Sequence, residues 1–145
     1  MRKMSKTLAL VLILVLIAPA LVTAQDSGGV GQFIRRSGAH KIGGYVTLGL
    51  AVTAAGMGLL GYEVHPYLGY ATAGFAATAA IAGTIAYSDR LAVIWPHAVL
   101  NGLAVTGFVL NAFVFEGGSP AHVATGISSV ALLGAAYTAI LLITR

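Results

Sequence analysis

The sequence predicts an all-α integral membrane protein: an antiparallel four-helix bundle preceded by a signal peptide or an uncleaved anchor helix. Three observations lead there. The 145 residues are 58% hydrophobic and only 8% charged, and a mean hydropathy of +0.91 excludes an ordinary soluble domain. Four apolar stretches follow position 39, each of about 20 residues, the length that crosses a bilayer core of about 30 Å as a helix. One histidine stands at or just before the start of each stretch: His40, His65, His97 and His122, the only four in the chain.

Residues 1–24 come first. Arg2, Lys3 and Lys6 make a basic start, 8–17 an apolar run, Pro19 a break, and Val22-Thr23-Ala24 a small-residue end. This is the layout of a secretory signal cleaved after Ala24. The competing reading is an uncleaved anchor, since 7–24 is just long enough to span. Both put Gln25 on the outer side. Residues 25–39 form a polar, interfacial segment in which Ser27-Gly28-Gly29 breaks the chain. Residues 32–37, with Arg35 and Arg36, form a short interfacial helix or an extension of the helix that follows.

The domain at 40–145 holds the four spans. The first covers 40–60, and Gly61-Tyr62-Glu63-Val64 is a tight connection. The second covers 66–87 and ends at Ser88-Asp89-Arg90. The third begins near Pro96 and runs to 115; Glu116-Gly117-Gly118-Ser119-Pro120 is a turn, and the fourth covers 121–144. Pro66 and Pro96 suit first-turn positions, where a missing N–H costs nothing. Tyr62, Tyr67, Tyr70 and Trp95 suit an interfacial aromatic belt. Gly, Ala, Ser and Thr within the spans favour close helix packing in lipid. Short connections make neighbouring helices antiparallel.

Antiparallel order puts His40 and His97 at one end of the bundle and His65 and His122 at the other. Positions 40 and 97 are 57 apart, as are 65 and 122, a hint of internal duplication. Four residues after the histidines stand Gly44, Gly69, Asn101 and Gly126, on the same helix face. A glycine there lets a flat group approach the backbone beside the imidazole. Two imidazole pairs at two depths suit two b-type haems. A haem ligated by two imidazoles has no open axial position and carries electrons. Zinc fits poorly, because its sites need three or four converging ligands, and these pairs are expected about one membrane thickness apart. The other readings are interfacial histidines solvated by headgroups, or a different metal or proton role. The absence of cysteine excludes disulfides, iron–sulfur ligation and thioether-linked haem.

The segments His40-Lys41-Ile42-Gly43-Gly44, His65-Pro66-Tyr67-Leu68-Gly69, His97 with Asn101-Gly102, and His122 with Gly126 resemble the cytochrome b-561 type of di-haem membrane cytochrome and related bacterial cytochrome b subunits. The resemblance covers about residues 40–144. It implies that His40 pairs with His97 and His65 with His122, each pair ligating one haem b near one membrane surface. The chain departs from that family in lacking its two flanking helices and any basic ascorbate-site motif on the Glu63/Glu116 side.

Export of the N-terminus puts Arg35, Arg36, Lys41, Arg90 and Arg145 outside and leaves Glu63 and Glu116 inside, against the positive-inside rule. Either the signal dictates orientation, or the cations neutralise haem propionates through charge-assisted hydrogen bonds, or the bundle is inverted. Arg35, Arg36 and Arg90 are therefore candidate cofactor-binding residues, with headgroup phosphate contact the equal alternative. Asn101 and Asn111 suit interhelical hydrogen bonding more than cofactor contact. No nucleophile–base set surrounds Ser128 or Ser129, and no acidic residue lies mid-span, which argues against an ion-coupled pump. The net charge of +4 sits at membrane edges and is no nucleic-acid footprint. The expected function is electron transfer across the plasma (inner) membrane, as a relay or subunit of a larger redox complex. Its expected partners are the lipid bilayer, a quinone pool and an exported redox protein, and a quinone oxidoreductase component stays open. The alternative is a non-redox scaffold or small transporter subunit.

Overall fold

The computed structural model describes residues 28–143. The signal or anchor expected at 1–24, and Arg145, lie outside the described residues. Five α-helices follow in order: α1 (Gly28–Ser37), α2 (Ala39–Leu59), α3 (His65–Ala86), α4 (Leu91–Phe113) and α5 (Pro120–Ile143). A 3-10 turn at Ser88–Arg90 joins α3 to α4. No strand occurs among the described residues.

Helices α2 to α5 are long and apolar enough to cross a membrane. Each is apolar on every side, with large residues such as Leu59, Val93, Leu103 and Leu142 facing outward. A helix of this kind needs burial in lipid or in a large core. The inward faces carry mostly small residues: Ala51, Ala73, Ala76 and Ala104 pack with Phe108, Val109 and Leu133 as the core. Close approach through small residues is the packing that helices able to cross a membrane use.

α2 packs along α3 and α4 along α5, forming two hairpins; α3 then lies against α4, and α2 against α5 closes the ring. The turns repeat as well. Gly61 and Gly118 both have positive φ, 74° and 77°, and stand 57 positions apart in the sequence. At Gly61 the hydrogen bonds from Tyr62 N to Met57 O and from Gly61 N to Gly58 O make a Schellman cap, in which the left-handed residue is normally glycine.

Two expectations change here. Of the two readings of 32–37, the short separate helix holds and the extension of α2 does not, but the helix starts earlier, at Gly28, within the expected break. This is α1, a helix of ten residues ended by Gly38 at φ 66°. α1 docks on the C-terminal end of α3, where Gly31 lies so close to Ile85 that an added Cβ would meet the Ile85 carbonyl at 2.9 Å. The third span begins at Leu91, with Pro96 inside the helix. Leu91 to Ile94 continue the apolar helix before the proline. Pro96 leaves only the carbonyl of Ala92 without its intrahelical partner. His97 is therefore about two turns into its helix, and it is buried.

Gly61→Val and Gly118→Val are each expected to destabilise the bundle by about 1–2 kcal/mol, the cost of a left-handed backbone for a residue with a Cβ. Gly74→Ala is expected to be neutral or stabilising by up to about 1 kcal/mol, because a Cβ there meets nothing. Unfolding of the detergent-solubilised protein measures all three.

Candidate functional site: two histidine pairs

The ring of helices places α2 opposite α4 and α3 opposite α5, so each histidine meets its partner across the bundle diagonal. At one end the His40 and His97 rings have centroids 6.1 Å apart and planes at 87°. At the other end the His65 and His122 rings are 5.6 Å apart with planes at 80°. The pairs are those expected from the sequence.

Each ring is aimed by its other nitrogen. His40 Nδ1 is 2.8 Å from the Ala79 carbonyl, His65 Nδ1 2.7 Å from that of Ala54, and His97 Nδ1 2.9 Å from that of Ala136. A carbonyl only accepts, so Nδ1 carries the proton in all three, and Nε2 presents a lone pair. The acceptors obey the same repeat: 79 and 136 are 57 apart, as are 54 and 111. The fourth bond is the exception. His122 Nδ1 is directed to the Asn111 backbone carbonyl but makes no hydrogen bond of normal geometry, and Asn111 Oδ1 is buried without a partner. The interhelical hydrogen bond expected of Asn111 is thus not made at its oxygen.

Two glycines make these bonds sterically feasible. Helical side chains lean back over the preceding turn and cover the carbonyl four residues earlier. Gly58 follows Ala54 by four and Gly83 follows Ala79 by four. A Cβ on Gly58 would stand 2.8 Å from the His65 ring, and one on Gly83 2.4 Å from the His40 ring. The sequence reading singled out neither glycine. Their signal, a glycine four residues beyond the accepting carbonyl, can be read only once the partner helix and its register are known.

Four residues beyond the histidines, the expected small residues behave differently at the two ends. Gly69 and Gly126 line a cavity of about 620 Å³ that also holds His65, His122, Asn111, Tyr62 and Glu63. Gly69 faces open space, and Gly126 faces the Asn111 amide, which an added Cβ would meet at 2.9 Å. At the other end the space over Gly44 is already filled by the Tyr137 hydroxyl, on a ring stacked with Tyr45 at 5.7 Å. Asn101 is half-buried on α4.

The candidate arginines do not share one environment. Arg35 donates to the Ala86 carbonyl and pairs with Asp89. Its guanidinium also lies 5.3 Å from the centroid of the Tyr87 ring, which meets the His40 ring edge-on at 5.8 Å. Arg36 and Arg90 are exposed at the same end.

The two pairs are closer than one membrane thickness. His65 and Ala79 lie on the same helix, 14 residues apart. Because His40 bonds Ala79, the pairs are separated along the axis by about 21 Å at 1.5 Å per residue. Midway, Thr47, Thr72, Ala104 and Ser129 form a fully buried layer. The three hydroxyls are satisfied within their own helices by the carbonyls of Gly43, Leu68 and Thr125.

Among the described residues no three or more His, Cys, Asp or Glu converge on one point, so what the arrangement offers is imidazole pairs. The His65 and His122 Nε2 atoms face each other at 3.3 Å. An in-line imidazole–metal–imidazole unit with bonds of about 2.0 Å sets its nitrogens about 4 Å apart, so a small separation of the rings accommodates one. No protein family, curated protein or solved structure matches the chain.

In 15N NMR of histidine-labelled protein, His40, His65 and His97 are expected as rings protonated at Nδ1. Protonation at Nε2 instead, in any of the three, contradicts the arrangement. Gly58→Leu is expected to shift the His65 signals and leave those of His97 in place.

Proposed function

We propose that this chain is a membrane electron-transfer protein holding two b-type haems, one between His40 and His97 and one between His65 and His122. The observation that carries the proposal is the pairing of imidazoles across the bundle at both ends, with three of the four rings turned by an Nδ1–H bond that leaves Nε2 free. The roughly perpendicular ring planes and the apolar cavity at the His65/His122 end support a flat, apolar macrocycle with two axial positions to fill. Such a haem would supply reversible one-electron chemistry without an open axial site.

The chain's own residues do the remaining work. The carbonyls of Ala54, Ala79 and Ala136 orient the ligands and raise their basicity. Gly69 and Gly126 leave room for the macrocycle. The buried Thr47/Thr72/Ala104/Ser129 layer excludes water between the sites. In this reading the bundle spans the plasma (inner) membrane with its exported N-terminus outside, and electrons pass between a quinone pool and an exported redox protein.

A second reading has one observation in its favour. At 3.3 Å the His65 and His122 nitrogens also suit a direct imidazole–imidazole hydrogen bond, which would clamp α3 to α5 in a non-redox scaffold. The scaffold is colourless.

The decisive measurement is a dithionite-reduced minus oxidised visible spectrum of detergent-purified protein, with haem quantified per chain. About two low-spin b-type haems per chain are expected, and a colourless protein from haem-replete cells rejects the proposal. His122→Ala and His97→Ala are each expected to remove one of the two haems. Insertion is tested separately, on a background free of native cysteine. Lys41→Cys and Glu63→Cys should react with an impermeant maleimide from opposite faces of the membrane; reaction from the same face excludes the four-span topology.

A further inference from the structure

The two histidine pairs are built alike but sit in opposite electrostatic surroundings. At the His40/His97 end stand Arg35, Arg36, Lys41 and Arg90, with Asp89 the one acid among the described residues. At the His65/His122 end stand Glu63 and Glu116, with no lysine or arginine among the described residues. Glu63 lines the cavity that contains His65 and His122. Helix dipoles do not cancel this contrast. Each end gathers two helix N-termini and two C-termini, so their partial charges offset one another, and the side chains alone set the difference.

We infer that this charge split orders the reduction potentials of the two sites: the His40/His97 site holds an added electron more tightly than the His65/His122 site. The inference rests on the haem reading above and adds to it the direction of transfer. Adding an electron to a bis-imidazole iron removes one unit of positive charge. Nearby cations favour that change and nearby carboxylates oppose it. Haem propionates would widen the gap, since one end offers cations to neutralise them and the other offers none among the described residues. A Tyr87 ring in contact with both the Arg35 guanidinium and the His40 imidazole brings one cation close to the first site.

One contact works the other way. His122 Nδ1 makes no hydrogen bond of normal geometry, and an imidazole with that bond weakened donates less to the metal, which raises the potential of its site. One weakened hydrogen bond is set against a difference of five formal charges among the described residues (+3 at one end, −2 at the other), and the charges dominate.

The transfer itself is balanced within the protein. One electron leaves a ferrous iron between His65 and His122, oxidising it to ferric. It reduces a ferric iron between His40 and His97 to ferrous. No proton moves and no bond breaks. The downhill direction runs from the acidic end of the bundle to the basic end.

The test is a redox titration of the full-length haem-loaded protein, followed by visible absorbance and EPR. His122→Ala identifies the component that belongs to the acidic end. That component is expected to titrate at the lower potential. Glu63→Gln is expected to raise it without moving the other; Lys41→Gln is expected to lower the higher one without moving the first. Both side chains are exposed, so neither change disturbs the packing. Haem-loaded protein with the order reversed, or with neither potential moved by its local variant, overturns this inference and leaves the cytochrome reading standing. A colourless protein overturns both.

Discussion

An imidazole N–H donated to a backbone carbonyl of the adjacent helix is the interaction on which the rest of this bundle depends. Three of the four histidines make it, and it does several things at once. It fixes the register within each hairpin, because Ala54, Ala79 and Ala136 must lie level with His65, His40 and His97. It satisfies a polar N–H in surroundings where leaving it unpaired is costly. It also settles the tautomer, which leaves the Nε2 lone pair free.

The bundle is built to leave these bonds undisturbed. A helix carbonyl is normally screened by the side chain four residues on, and glycine at 58 and 83 removes that screen. Alanine-rich inward faces bring the helices close enough for an imidazole on one to reach the backbone of the next. The second hairpin lacks this glycine device: Phe115 and Ile140 stand where the first has Gly58 and Gly83, and Asn111 stands where it has Ala54, yet His97 still reaches the Ala136 carbonyl. The hydrogen bond has normal geometry at Ala136 and is weakened at Asn111. The two halves therefore share a geometry without sharing a surface, and the asymmetry gathers around His122.

α1 links the polar N-terminal segment to one of the two sites. Its glycine contact with α3 sets it across the end of the bundle, where Arg35 meets Asp89 and the Ala86 carbonyl and lies over Tyr87. Tyr87 in turn abuts His40. An ion pair this exposed contributes little to stability. Its consequence is positional: a cation is held near the His40 imidazole, while among the described residues the opposite end of the bundle carries Glu63 and Glu116 and no cation.

By itself the sequence determined the helical class, the four apolar segments, the turns and the diagonal pairing of His40 with His97 and of His65 with His122. Those features follow from composition, from periodic glycine and proline signals and from the alternation of antiparallel helices, all of which are local. It misjudged the start of α4, because a proline that suits a first turn is also tolerated at the sixth helical position. It overstated the distance between the pairs, because histidines near helix starts were read as lying at the membrane surfaces. Tertiary structure alone decided which carbonyl each Nδ1 meets, why Gly58 and Gly83 must be small, that Tyr137 fills the space over Gly44, and that Arg35 is engaged by Asp89. Each of these depends on the axial stagger of one helix against its neighbour. That stagger is fixed by side-chain packing between segments distant in the chain, and no local pattern encodes it.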